Sequence, residues 1–241
     1  MYKIRKLIAF VLVFTITISV LTPFTKIQAA SANPISGGIT SFKELVNDLN
    51  ELEYSYEEDG VSYKVVEKFD ENYEGVSSKI YVKDKSNNYI LQEKQRTDLV
   101  GDSLVVETNE GGVVTTESLK IDDILSEEGS DLGVSLQNNE LNATGWKYQM
   151  TTKSSNFIAK LLVGSIAIVI VNFAKGKMTK VVTSIAALAF QMSISTIYFT
   201  KDWYYKYEGI IPVSEKMVTH VYANSARTLK MGGSITTIRT P

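Results

Sequence analysis

Five short segments after residue 60 alternate apolar and polar side chains, as half-buried strands do. They are rich in Val, Ile, Tyr and Thr, and turn residues such as Asp59-Gly60 and those at 109–112 separate them. The predicted strands span residues 61–69, 78–83, 89–94, 103–108 and 113–120. Short strands at this spacing predict an antiparallel meander with one buried face and one acidic, solvated face.

The segment before these strands has a different period. Its apolar residues recur at helical spacing and are Phe42, Leu45, Val46, Leu49 and Leu52. Ser41 and Glu44 have the residue types and the spacing of a capping box, in which each side chain satisfies a free backbone N–H. We therefore expect a helix over residues 41–53 that packs against the meander.

Two long apolar runs follow in the C-terminal part. Residues 157–174 contain one charged side chain, Lys160, and residues 181–199 contain none. As helices, runs of this length would cross roughly 27–30 Å of hydrocarbon. We expect an apolar helical hairpin and then a short β-rich tail with strands at 210–213, 217–222 and 234–239. The predicted fold class is therefore α+β.

The hairpin supplies the candidate functional residues. The candidate membrane-insertion residues are Phe157, Leu161, Ile166, Ile168, Ile170, Leu188 and Phe190. The charges of the predicted loop are Lys175, Lys177 and Lys180, and a membrane potential that is negative inside favours moving each one inward by roughly 2.3 kcal/mol per 100 mV. The residues Trp203, Tyr204 and Tyr205 follow the second run and predict an interfacial aromatic belt.

The first residues have the pattern of a signal peptide. Lys3, Arg5 and Lys6 precede an uncharged, mostly apolar run at residues 7–21, and Ala30-Ser31-Ala32 has the small residues that signal peptidase requires. We expect cleavage after residue 32 and a secreted protein. The alternative is an uncleaved membrane anchor with external domains.

The two parts of the remaining chain have opposite net charges. Residues 33–150 contain 24 acidic and 10 basic side chains, a net of −14, whereas residues 151–241 contain 3 and 11, a net of +8. This asymmetry and the linker-like composition of residues 126–145 predict an acidic α+β domain over 33–145 and a basic domain with the hairpin and tail over 146–241. Lysines beside apolar runs suit an anionic bilayer better than nucleic acid, which we do not expect as a partner.

Catalytic chemistry has few candidates in this sequence. The chain has no cysteine and a single histidine, His220, which lies in a predicted strand where a structural role is the commoner one. No G-x-S-x-G, P-loop, dinucleotide or EF-hand pattern occurs. We therefore expect a protein that is not an enzyme and that has no cofactor and no metal site.

In the order of its parts the chain resembles the large leader-cleaved secreted bacteriocins of Gram-positive bacteria, the geobacillin type. The features in common are Ala30-Ser31-Ala32, an acidic β domain, an apolar stretch with the three loop lysines, and an aromatic tail from Trp203. The resemblance implies an antimicrobial, pore-forming protein that inserts its hairpin into an anionic bilayer. A cell-surface receptor and an oligomer on the membrane fit the same hypothesis.

Two other functions are compatible with the sequence. The hairpin would anchor an integral surface or immunity-type protein in the membrane of the producing cell. Alternatively, the two helices would form the buried core of a secreted binding protein, with the acidic domain covering them, since helices that are apolar on every face need a surrounding layer.

Overall fold

The computed structural model describes residues 38–121 and 145–240. Strands account for 58% of these residues and helices for 13%, so the predicted α+β class is wrong and the protein is mainly β. Residues 38–121 form one antiparallel sheet, and residues 145–240 form two helices and a second sheet. The signal peptide and most of the predicted linker lie outside the described residues, and the division into two domains stays a prediction.

The first sheet is a seven-stranded meander in which each strand pairs with the next one. Its strands are β1 (Thr40–Asn47), β2 (Glu51–Glu58), β3 (Val61–Phe69), β4 (Gly75–Lys83), β5 (Tyr89–Val100), β6 (Ser103–Glu110) and β7 (Val113–Lys120). The five strands predicted from alternation lie within β3 to β7, so the meander itself is confirmed. One face of the sheet is buried through side chains such as Val65, Val76 and Leu104.

The predicted N-terminal helix is wrong, because residues 41–53 form β1, a tight turn and the start of β2. In β2 the residues Leu52, Tyr54 and Tyr56 are buried and alternate with more exposed ones, which is the period of a strand. The expected capping box does not form. Ser41 instead donates a hydrogen bond to the carboxylate of Glu57 on the paired strand, at 3.4 Å.

The second sheet and the helices come from the C-terminal part. The helices are α1 (Val163–Ala174) and α2 (Lys180–Gln191), and the strands are β8 (Trp146–Phe157), β9 (Thr196–Glu208), β10 (Ile211–Tyr222) and β11 (Ile235–Arg239). The spatial order of these strands is β11-β10-β9-β8, and the neighbours are antiparallel. The tail is β-rich as predicted, although two predicted short strands belong to the single strand β10.

The predicted long hairpin helices are also wrong. Each helix has 12 residues, a length of about 18 Å against the roughly 30 Å of a bilayer core. Phe157 belongs to the end of β8, and residues 196–199 belong to the start of β9. The apolar runs are therefore shared between helices and buried strands, which hydropathy alone does not separate.

The helix α1 lies between the two sheets, whereas α2 packs against β1 and β2 and exposes residues 180, 181, 184 and 191. On one side α1 contacts β3 and β4, and on the other side it contacts β10 and β11. Phe173 of α1 stacks on Phe199 of β9 with ring centroids 4.7 Å apart. Phe190 of α2 packs edge-on against Tyr54 and Tyr56 of β2. The protein core is thus centred on α1, which has a sheet on each side.

A buried carboxylate joins the first sheet to α1. Glu67 of β3 is fully buried and accepts hydrogen bonds from the backbone N–H of Gly164 at 2.8 Å and from the hydroxyl of Ser78 at 3.0 Å. Gly164 lies in the first turn of α1, where free N–H groups and the helix dipole favour an acceptor. Burial raises the pKa of Glu67 to about 7, although these hydrogen bonds oppose that shift.

Candidate functional surface

The predicted membrane-insertion residues lie mostly in the protein core. Ile166, Ile168 and Ile170 of α1 are at most 1% exposed, and Leu161 just before that helix is also buried. Leu188 and Phe190 of α2 are half-buried and pack against the same core. The exception is Phe157, which is 55% exposed at the end of β8. Insertion of an apolar helical hairpin into a membrane is therefore wrong as a function, and so is anchoring by that hairpin.

The predicted loop lysines are all at the surface of the α1–α2 connection. Lys175 follows the last residue of α1 with a left-handed backbone, φ 44°, and its N–H is bonded to the carbonyl of Asn172. Lys177 is exposed in the connection, and Lys180 is the exposed first residue of α2. These three lysines therefore belong to a solvated turn between two 12-residue helices.

The predicted aromatic belt is divided between the two faces of the second sheet. Trp203, Tyr204 and Tyr205 are consecutive in β9, so Tyr204 projects from the outer face of the sheet and the other two from the opposite face. The register pairs Tyr204 with Tyr148 of β8 and with Lys216 of β10. Strand pairing thus brings Tyr148 and Lys216 to Tyr204. Sequence reasoning missed these neighbours because their strands are distant in sequence.

We call this end of the second sheet the aromatic end. Its aromatic residues are Trp146, Tyr148 and Tyr204 on the outer face and Trp203, Tyr205 and Tyr207 on the opposite face. The ammonium of Lys216 lies 4.3 Å from the ring centroid of Tyr204 and 5.1 Å from that of Trp146. The ring of Tyr148 meets that of Tyr204 edge-on at 5.7 Å. These cation–π and aromatic contacts hold several large side chains in place on a rigid sheet.

The β9–β10 turn extends from the aromatic end and exposes two isoleucines. Residues 208–211 form this turn, which we call the tip, and Gly209 adopts φ 61° there. Ile210 is 93% exposed and Ile211 is 65% exposed. Glu208 also lies on the tip, and Lys206 is exposed two residues before it. The tip therefore presents apolar surface between aromatic and charged side chains.

A polar group adjoins the aromatic end on the outer face. Asp202 accepts a hydrogen bond from the hydroxyl of Thr151, and its other oxygen lies 3.5 Å from Nε2 of His220. Burial, and then the charge of Lys230, lower the pKa of His220, while Asp202 acts in the opposite direction. The imidazole is held within a strand beside a carboxylate, and the structural role of His220 stays a prediction.

Charge is distributed by layer. The described residues of the first sheet, 38–121, contain 18 acidic and 9 basic side chains, a net of −9. Those of the helices and the second sheet, 145–240, contain 3 acidic and 12 basic side chains, a net of +9. Because the two sheets lie on opposite sides of α1, the protein has an acidic side and a basic side, and the aromatic end belongs to the basic side.

A cleft of about 390 Å³ opens where α1 ends, beside the β3–β4 turn and β11. Its apolar lining includes Leu99 and Ile168, and its charged lining is Glu74, Lys175 and Arg239. Cations at this position stabilise the carbonyl groups at the C-terminal end of a helix. The negative end of the α1 dipole is a structural reason for cations at this position, so the cleft is a weaker candidate than the aromatic end.

Within the part of the chain that the structure describes, no group of His, Asp and Glu side chains is arranged to hold a metal ion. Of the helices in residues 38–121 and 145–240, none combines the length and the apolar character that crossing a bilayer takes. Comparison with protein-family models, with curated proteins and with solved structures found no match to this chain.

Proposed function

We propose that this chain is an exported, non-enzymatic binding protein that contacts its partner through the aromatic end and the tip of the second sheet. The observation that carries the proposal is the pair Ile210 and Ile211, exposed at 93% and 65% on the turn that follows the aromatic end along β9. Contiguous exposed apolar surface marks interaction sites, and Ile210 is the most exposed large apolar side chain among the described residues. Aromatic residues are also the side chains most enriched in protein contact surfaces.

The architecture supports contact at this surface. The aromatic end lies on the paired strands β8 and β9, and β10 pairs with the other edge of β9, so the backbone that carries these side chains loses little freedom on binding. Tyrosine and tryptophan combine an apolar body with a polar atom, which suits them to a surface that is wet when free and covered when bound. The signal-peptide pattern at residues 1–32 supports export, and the absence of cysteine from the sequence removes thiol chemistry.

Binding to intact bacterial cells tests this proposal. Labelled protein comprising residues 33–241 is sedimented with Gram-positive and Gram-negative cells, and the bound fraction is measured. The double variant Ile210→Ser and Ile211→Ser should bind at least tenfold more weakly, because it removes most of the exposed apolar area of the tip.

A matched control removes apolar area from the other side of the molecule. Val113 and Val114 at the start of β7 are 67% and 53% exposed, and the double variant Val113→Ser and Val114→Ser should bind like the wild type. Wild-type protein that binds neither type of cell, or tip and control variants that lose binding equally, would contradict the proposed function.

A further inference from the structure

We infer that β7, an edge strand of the first sheet, pairs antiparallel with β7 of a second copy of this chain and joins the two first sheets into one. The contact lies on the other sheet from the aromatic end and the tip, so it goes beyond the proposed function. It requires no change of fold, because an edge strand already presents a row of unpaired backbone N–H and C=O groups. A dimer with two-fold symmetry is also the commonest assembly of identical chains.

Of the four edge strands in the described residues, β7 is the one that is long, regular and free of proline. β1 shifts its register twice against β2, and β8 shifts its register between Tyr148 and Met150. β11 has only five residues. β7 pairs with β6 over all eight of its residues without a register shift. Bulges, short length and proline are features by which sheets prevent edge pairing, so β7 is the edge that is open to another strand.

The β6–β7 turn determines which backbone groups of β7 are available. The two strands are joined by a two-residue loop, Gly111-Gly112, whose residues adopt φ 58° and φ 90°. The residues that flank such a loop are hydrogen-bonded to each other, and the hydrogen-bonded pairs then alternate along the ladder. The N–H and C=O groups of residues 114, 116 and 118 therefore point away from β6, toward the position of an added strand. Every residue of β7 except Leu119 is exposed.

The side chains of β7 are complementary to a second β7. A two-fold axis through Thr116 places Val113 of one copy opposite Leu119 of the other, and Val114 opposite Ser118. Val113 is 67% exposed, whereas Leu119 packs against the core of its own chain. The pairing therefore covers Val113 and continues the apolar face of one sheet into the other. Thr116 faces its own copy, and paired threonines are favourable across strands.

Neighbouring registers are less favourable. In the register centred on Thr116 the paired residues are 113–119, and Glu117 lies opposite Thr115. An axis through Glu117 would place two carboxylates directly opposite each other, which destabilises a strand pair. An axis through Thr115 would leave only residues 113–117 paired. The sequence of β7 thus selects one register.

The charge of the first sheet gives this contact a distinctive response to salt. Each first sheet has a net charge of −9, so two copies joined edge to edge repel each other and salt should strengthen their association. The other arrangement of two copies would place the acidic sheet of one on the basic sheet of the next. Salt would weaken that contact, because it depends on attraction between opposite charges.

Sedimentation velocity of residues 33–241, from about 1 µM to about 1 mM, measures the association. A contact along one strand is small, so we expect a weak monomer–dimer equilibrium that shifts toward the dimer at about 0.5 M salt. Thr116→Pro removes an outward N–H and no hydrogen bond to β6, so the variant should keep its circular dichroism and stay monomeric.

Charge changes at Thr115 test the register independently of the proline variant. Thr115→Lys places an ammonium opposite Glu117 of the other copy, twice in each dimer, and should strengthen association by about 2- to 20-fold. Thr115→Glu should weaken it by a similar factor. Thr236 is exposed in β11, and Thr236→Lys and Thr236→Glu make the same charge changes on the second sheet. These controls should alter the association less.

The cell-binding test of the proposed function is carried out below the concentration at which copies associate. Its control, Val113→Ser with Val114→Ser, then acts on a monomer and stays valid. Failure of cell binding leaves the β7 contact untouched, and failure of the dimer leaves the proposed binding surface untouched.

Three results would overturn the inference. The first is a wild-type chain that stays monomeric throughout the concentration range, or whose association is weakened by salt. The second is loss of association in the variant Ile210→Ser with Ile211→Ser, which would assign the contact to the tip. The third is an equal response to the charge changes at Thr115 and Thr236, which would mean that net charge and not strand pairing governs the association.

Discussion

The two apolar helices and the β9–β10 tip have opposite environments. The helices carry the longest apolar stretches after residue 32, and most of their side chains are excluded from water. The tip has only two apolar residues in succession, Ile210 and Ile211, and both face solvent. Hydropathy along the chain measures how much apolar surface a segment has. The tertiary structure decides whether that surface is covered.

The same substitution in both regions should give the largest contrast. Ile168→Asp places an unpaired charge in a site that is 1% exposed, so it should lower the free energy of unfolding by more than about 4 kcal/mol or prevent folding. Ile210→Asp, at a site that is 93% exposed, should change it by less than about 0.5 kcal/mol. Urea unfolding followed by circular dichroism measures both, and a folded Ile168→Asp variant of wild-type stability would contradict the buried position of α1.

The free energy of unfolding should also depend on pH, through the buried carboxyl group of Glu67. Its pKa is about 7 in the folded protein against an ordinary value of 4.5, so the folded state retains a proton that the unfolded state releases. This contribution to stability is complete below about pH 4.5 and declines as the pH rises to about 7, by roughly 3 kcal/mol in total. Glu67→Gln should lose this component, which is measured as the difference between the pH profiles of wild type and variant. Parallel profiles would show that the carboxylate does not titrate in this range.

The close approach of α1 to β3 and β4 should make Gly164 intolerant of a side chain. A Cβ atom there would lie 2.9 Å from Oε1 of Glu67 and from Cγ2 of Val76. Gly164→Ala should therefore destabilise the protein by about 1–3 kcal/mol, even though alanine favours a helix. Gly233→Ala is the control, because its Cβ would lie at an ordinary 3.5 Å from Val181. Equal melting temperatures for the two variants would argue against this tight contact.

The aromatic end should contribute least to stability. Lys216→Met removes the ammonium that lies over Tyr204 and Trp146 but keeps most of the aliphatic stem. Cation–π contacts at partly exposed sites are worth about 0.5–1 kcal/mol each. The free energy of unfolding, measured by thermal denaturation, should therefore fall by about 1–2 kcal/mol at most. A larger loss would mean that this cluster helps to hold the second sheet together and is more than a contact surface.

Local patterns predicted part of this fold. Alternation and turn residues identified the strands from β3 to β7, because apolar and polar residues alternate along a strand that has one buried and one solvated face. The same reasoning failed for residues 41–53, where apolar residues of two strands and their turn happen to recur at helical spacing. It also failed for the ends of the apolar runs, since a buried helix and a buried strand are equally apolar.

The candidate surface was only partly accessible from the sequence. Trp203, Tyr204 and Tyr205 were identified as interfacial residues because they are adjacent in the chain. Trp146 and Lys216 were not, because strand pairing brings them to Tyr204 from positions that are distant in sequence. Ile210 was assigned to a predicted strand at residues 210–213, because the sequence alone does not show whether two adjacent apolar residues are exposed.

The sequence by itself determined the signal-peptide pattern, the opposed charges of the two parts, the alternation of the meander and the apolar character of residues 163–191. These are properties of composition and local period. Only the tertiary structure decided that a sheet covers each side of α1, that Glu67 accepts the N–H of Gly164, and that aromatic residues from separate strands meet on the second sheet. The reason is physical: burial depends on which surfaces pack together, and that is settled by contacts between residues far apart in the chain.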